Sequence, residues 1–210
     1  MPHDTSTNYG VAEGGAKVVL DGTKTILLVG VGGQGTILAG QLLAMVAADA
    51  GLDVKVSEIH GMSQRGGSVS TVVRVGEKVE SMVCDPGCAD IVVAFEAVEA
   101  LRAQQFLCDG GTLFVNDEQI VPVSVHVGNF TMPADTEERL AAIGAVRIDA
   151  GEIARAAGSP KSTNVVLVGA LSTALPFSVE EWQDAIRRRV PPKTIDANLE
   201  AFAKGRAAVA

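Results

Sequence analysis

The chain has 210 residues, 47% of them hydrophobic but only 4% aromatic, so it carries enough apolar material for one full core, built from Ala, Val, Leu and Ile. A parallel sheet covered by Ala-rich helices fits that description and points to an α/β fold. A formal net charge of -8 argues against a nucleic-acid surface, which needs Lys and Arg clustered on one face.

Residues 1–22 lack a basic stretch followed by an apolar run, so they do not read as a signal peptide. They read as a weakly ordered arm ahead of a single domain spanning 23–210. Every long apolar run is interrupted by Gly, Asp or Gln well short of a bilayer span, so no membrane segment is expected.

Residues 24–35, KTILLVGVGGQG, organise the rest of the chain. An apolar run over 26–29 breaks into Gly30, Gly32, Gly33 and Gly35, and helical spacing resumes at 36–50. This is a strand, a tight turn and a helix start. Gly30, Gly32 and Gly35 match G-x-G-x-x-G, in which absent side chains let backbone N–H groups approach an anion at the helix N-terminus. The same glycines also serve where a strand and a helix only need to pack closely. A ribose-binding acid is expected at the end of the second strand, residues 53–59. Asp53 and Glu58 are the candidates, and neither is well placed by count.

Residues 60–67, HGMSQRGG, come directly after that strand. Open α/β sheets bind ligands where strands end, and a loop mixing glycines with His60, Ser63, Gln64 and Arg65 can wrap an anion. The Arg65 guanidinium with the amides of Gly66 and Gly67 would make a phosphate or carboxylate clamp. Runs 68–75 and 78–83 around Gly76-Glu77 predict a hairpin, an antiparallel excursion in a mostly parallel, Rossmann-like sheet.

After a turn at 85–87, residues 89–95 form an apolar strand that delivers Glu96. This residue is a site acid or, more simply, the cap of a helix over 97–105. Strands come next at 111–116 and 121–127, then a helix at 134–144, a short strand at 146–149 and a small-residue helix at 161–175 with Asn164 on its first turn. His126 stands alone and reads as structural. Ser178 and Glu181 form a capping box for a helix running to Arg189, Phe177 and Trp182 a hydrophobic staple, and a last helix over 194–204 stops at Gly205. The cations Arg187 to Arg189 complement that helix's dipole.

Cys84, Cys88 and Cys108 are too few for a disulfide scaffold and wrongly spaced for an iron–sulfur centre, which suits a reducing cytoplasm and three partly buried thiols. Nucleophile elbow, Walker lysine and zinc-binding spacings are absent as well. A glycine-rich fold with one loaded loop must act together with something else.

The combination of GVGGQG at 30–35, EIHGMSQRGGSVSTVVRVG at 58–76, ADIVVAFE at 89–96 and NVVLVGAL at 164–171 resembles the gamma-type subunits of 2-oxoacid:ferredoxin oxidoreductases. Within that family the likeness is to the small (beta) subunits serving arylpyruvates such as indolepyruvate. The resemblance implies a Rossmann-like domain inactive alone and docked on a large (alpha) subunit that carries thiamine diphosphate, Mg2+ and iron–sulfur clusters. It implies oxidative decarboxylation of a 2-oxoacid to acyl-CoA and CO2 with reduction of ferredoxin. Carried over to this sequence, 30–35 and 60–67 would lie at the subunit interface near the partner's cofactor or coenzyme A, Arg65 making the charged contact. A gamma subunit for pyruvate, oxoglutarate or branched-chain oxoacids, and a stand-alone nucleotide-binding module, are the alternatives.

Overall fold

The computed structural model describes residues 18–60, 67–119, 125, 131 and 133–210. Among the described residues six strands form one sheet in the order β2-β3-β1-β4-β5-β6. They are β1 (Lys24–Val31), β2 (Asp53–His60), β3 (Ser68–Gly76), β4 (Ala89–Ala94), β5 (Leu107–Asn116) and β6 (Val146–Ile148). β4 pairs in parallel with both β1 and β5, and β5 with β6. Only β3 runs the other way, antiparallel to both β1 and β2.

The apolar runs in β1 and β4 are continuous because both sheet faces are covered. Ile26, Leu28, Ile91 and Val93 point into one core, and Leu27, Val29, Val92 and Ala94 into the other. Against the first face pack α1 (Thr36–Asp49), α4 (Ala150–Ala156), α5 (Thr163–Ser172), α6 (Val179–Arg189) and α7 (Ile195–Ala207). The second face is covered by α2 (Ala97–Ala103) and α3 (Thr136–Ala142). Short 3-10 turns precede β5, α5 and α7.

Every residue from Asn164 to Ser172 in α5 is buried, because this helix is enclosed between the sheet and α7. Its small residues let the backbones nearly touch. A Cβ on Gly169 would fall 2.3 Å from the Phe202 carbonyl oxygen, and one on Gly205 would fall 2.0 Å from that of Val166. Gly205 therefore lies inside α7, which continues to Ala207, and does not stop it as the sequence suggested. The capping box at Ser178 and Glu181 is complete, and Phe177 meets Trp182 edge to face with centroids 6.1 Å apart. The cations at the end of α6 are engaged locally: Arg187 pairs with Asp184, Arg188 with Asp49, and Arg189 donates to Gln41 Oε1.

The antiparallel excursion exists, with a different second arm. β3 pairs with β2 through the 61–67 connection, while residues 78–83 are irregular and stay out of the sheet. The physical reason is that Asp53 Oδ2 accepts from the Val79 N–H at 2.8 Å and the Arg74 guanidinium donates to the Ser81 and Val83 carbonyls at 3.0 and 3.2 Å. Side chains thus supply partners that a strand ladder would otherwise give. The strand expected at 121–127 falls on residues outside the described ones, except for the helical Val125; His126 is also outside them. The sequence carries no periodic signal for α4, whose seven residues are too few for one, although Asp149 caps it by accepting from the Glu152 N–H at 2.9 Å.

Candidate functional site

The strand order decides which pieces of sequence meet. His60 pairs with Val69 at the end of the β2–β3 ladder, Gly30 also pairs with Val69, and Val29 pairs with Ala94. The carboxyl ends of β1, β2 and β4 and the start of β3 therefore share one sheet edge. The glycine turn and the two ends of the HGMSQRGG stretch stand side by side. A backbone hydrogen bond joins them directly, the Gly32 N–H donating to the Gly67 carbonyl at 2.9 Å. Ser63, Gln64, Arg65 and Gly66, and the His60 side chain, lie outside the described residues.

Within the turn the glycines do different things. Gly33 (φ +104°) and Gly35 (φ +87°) adopt the left-handed backbone that glycine alone takes easily. A Cβ on Gly35 would fall 2.4 Å from Asn164 Nδ2, and one on Gly30 would fall 2.8 Å from Gln34 Oε1 and 2.9 Å from Phe95 Cβ. Gly33 faces open space. Gly35 is the N-cap of α1, and among the described residues no side chain caps that helix. The positive end of the helix dipole lies at this turn and favours a negatively charged acceptor there.

Gln34 and Asn164 hold the turn in place. Gln34 Oε1 accepts from the Val31 N–H at 2.7 Å, and its Nε2 donates to the Phe95 carbonyl at 3.1 Å. This ties the end of β1 to the end of β4. Asn164, 7% exposed, donates from Nδ2 to the Gly35 carbonyl at 3.5 Å and accepts from the Val165 N–H at 3.0 Å. The first turn of α5 thereby meets the glycine turn across 129 positions of sequence.

A second polar group borders this edge. Glu96 is the N-cap of α2, its carboxylate accepting from the Val98 and Glu99 N–H groups at 3.1 and 2.8 Å. Capping is thus its visible role, the simpler of the two that the sequence allows. Burial pushes the Glu96 carboxyl above its ordinary range, and the two backbone donors pull it back. Glu99, buried itself, accepts from the Ser68 hydroxyl at 2.6 Å and pairs with Arg102. Asn116, at the end of β5, donates to the Phe95 carbonyl at 3.1 Å and to Glu118 at 3.0 Å, and accepts from the Ala150 N–H at 3.1 Å.

Ser68, Glu99 and Asn116 were not legible as site residues, because each belongs to the edge through partners distant in sequence. The only hint was that Asn116 ends a strand. Among the described residues no three His, Cys, Asp or Glu side chains converge to hold a metal ion. Nor is any helix there long and apolar enough to cross a membrane. Two apolar side chains flank the edge in the open: Ile37, on the first turn of α1, is 39% exposed, and Ile59, next to the end of β2, is 64% exposed.

This arrangement can bind an anion through backbone donors and can seat another protein against Ile37 and Ile59. Known proteins resemble it in sequence and in fold. The chain is 45% identical over 187 residues to indolepyruvate oxidoreductase subunit IorB of Thermococcus kodakarensis, covering 86% of this chain and 93% of the relative. It is 34% identical over 196 residues to 2-oxoglutarate synthase subunit KorC of Methanothermobacter marburgensis, covering 87% and 95%. The solved gamma subunit of a keto/oxoacid ferredoxin oxidoreductase from Geobacter sulfurreducens superposes with a TM-score of 0.65 at 25% identity, covering 89% of this chain and 98% of that one. Residues 25–208 match the model of one family. The chain belongs to the pyruvate ferredoxin/flavodoxin oxidoreductase family.

Proposed function

We propose that the chain is the small subunit of an indolepyruvate-type 2-oxoacid:ferredoxin oxidoreductase. It works docked on a large subunit that carries thiamine diphosphate, Mg2+ and iron–sulfur clusters. The complex converts an arylpyruvate and coenzyme A to acyl-CoA and CO2, and the electrons leave through ferredoxin. The thiamine cofactor supplies the decarboxylation chemistry, and this chain supplies orientation and electrostatics at the interface.

The observation that carries the reading is the joining of the two glycine-rich stretches at one sheet edge, through the Gly32 to Gly67 hydrogen bond beside a helix start that no described side chain caps. Such an edge favours a negatively charged group, either a coenzyme A phosphate or a substrate carboxylate. Gly30, Gly32, Gly33, Gln34, Gly35 and Asn164 shape it, and His60, Ser63, Gln64, Arg65, Gly66 and Gly67 are the residues assigned to its ligand side. Exposed Ile37 and Ile59 beside it suit a docked partner. The greater identity to an indolepyruvate subunit than to a 2-oxoglutarate subunit favours an arylpyruvate. Oxoglutarate is the second reading, on the strength of the 34% relative.

The test is to purify the chain with its co-expressed large subunit and follow 2-oxoacid- and coenzyme A-dependent reduction of a viologen dye. Arylpyruvates are expected to support faster reduction than pyruvate or 2-oxoglutarate. Preference for 2-oxoglutarate would move the assignment to the second reading, and micromolar NADH binding by a chain that copurifies with nothing would favour a nucleotide-binding module. Arg65→Ala is expected to raise the KM for coenzyme A or the oxoacid by about tenfold, the worth of one charge-assisted hydrogen bond. Unchanged assembly together with unchanged KM values would remove Arg65 from the site.

A further inference from the structure

Away from that sheet edge, on the loop that enters the amino end of β4, two cysteine side chains touch. The sulfurs of Cys84 and Cys88 are 2.9 Å apart, the Cys88 thiol donating to Cys84. Both cysteines are free and half-buried. An S–S bond is about 2.05 Å long, so less than about 1 Å of travel separates the pair from bonding distance. The proposed subunit function uses neither residue.

The contact is built by the loop. Asp85, Pro86 and Gly87 form a turn closed by the Cys88 N–H donating to the Asp85 carbonyl at 3.1 Å, with Gly87 at φ +76°. The turn is pinned from outside: the Gly87 N–H donates to the Gln105 carbonyl at 2.9 Å, and Arg74 holds the Ser81 and Val83 carbonyls. The turn and these anchors hold Cys84 and Cys88 on either side of residues 85–87 with their sulfurs in contact.

We propose that Cys84 and Cys88 form a dithiol that a hydroperoxide converts to an intramolecular disulfide. One sulfur attacks the peroxide, the O–O bond breaks, and a sulfenic acid and water (or an alcohol) result. The second sulfur then attacks the sulfenic sulfur, the S–O bond breaks, a second water leaves and the S–S bond forms. The dithiol gives up two electrons and two protons, and the peroxide takes them. Burial, reinforced by the Cys88 thiol, pushes the Cys84 thiol up to about 12. Cys84 is therefore protonated at neutral pH and a slow nucleophile, so the peroxide is supplied in excess over the chain. Cys108, the third free cysteine, lies on β5 and has no part in the step.

The test treats the folded full-length chain with excess hydrogen peroxide, blocks the remaining thiols, and digests with a protease that cleaves before aspartate, which separates Cys84 from Cys88 at Asp85. The expected result is that reactive thiols fall from three to one. The peptides ending in Cys84 and beginning with Asp85 should stay joined, about 2 Da lighter than their sum, until dithiothreitol parts them. Cys84→Ser and Cys88→Ser should each abolish the joined peptide, and Cys108→Ser should leave it. The mapping of the unmodified sequence stands even if a variant fails to fold. Three thiols still reactive, a bridge to Cys108 or between chains, or sulfinic acid at either position without the joined peptide would overturn the proposal.

Discussion

At Gly35 two independent constraints meet, a left-handed φ of +87° and an Asn164 amide 2.4 Å from where a Cβ would stand. A side chain there costs about 1 to 2 kcal/mol for the backbone and about 1 to 3 kcal/mol for displacing a packed neighbour. Gly33 has the positive φ and no such neighbour. Gly35→Ala is therefore expected to lower unfolding stability by about 2 to 5 kcal/mol and Gly33→Ala by about 1 to 2 kcal/mol, as urea titration of each variant would measure. Equal losses would mean that Asn164 gives way without cost. Glu96 offers a test by pH. Its folded-state carboxyl is raised by burial, so its contribution is fully present below the ordinary carboxylate range and is lost as pH rises through the folded value. Glu96→Gln removes that charge, so stability measured from acidic to neutral pH should fall less steeply in the variant than in the parent. Glu96→Ala, which deletes the cap of α2 as well, is expected to cost about 1 kcal/mol at acidic pH. The sequence raises capping for Glu96 because strand ends commonly feed helix starts. It holds no sign of Glu99 or Asn116, whose roles come from Ser68 and Ala150 on other elements.

Among the elements, α5 and α7 cross in close backbone contact, since Gly169 and Gly205 each face a carbonyl oxygen of the opposite helix. Gly205→Ala gains about 1 kcal/mol of helix propensity. Against this stands a methyl group 2.0 Å from the Val166 carbonyl oxygen, which backbone atoms cannot yield by rotating a side chain. Overpacking of that kind costs about 1 to 3 kcal/mol or more, so a net loss of about 2 kcal/mol is expected in thermal or urea unfolding. A stabilised variant would mean that the two helices separate easily. Most elements were legible from apolar runs, glycine turns and the Ser178 capping box. The misread ones share a cause. Residues 78–83 have the composition of a strand, but Asp53 and Arg74 satisfy their backbone from the side, and Gly205 resembles a stop signal only when the opposing helix is unknown.

In the whole molecule one sheet serves two cores, so neither helical layer can leave without exposing strands that the other layer also covers. The single Trp182 is fully buried on one side only. Its fluorescence should therefore change at the same denaturant concentration as the far-ultraviolet circular dichroism of all helices, and two distinct midpoints would show that the layers unfold separately. The sequence by itself determined the α/β class, the glycine turn at the end of β1 and the family resemblance, because periodicity, glycine placement and motif residues are local properties of the chain. Only the tertiary structure decided that β3 lies between β2 and β1, that Gly32 bonds to Gly67 and Gly35 to Asn164, and that Cys84 and Cys88 touch. Strand order and loop anchoring arise from contacts distant in sequence, which no local pattern of residues encodes.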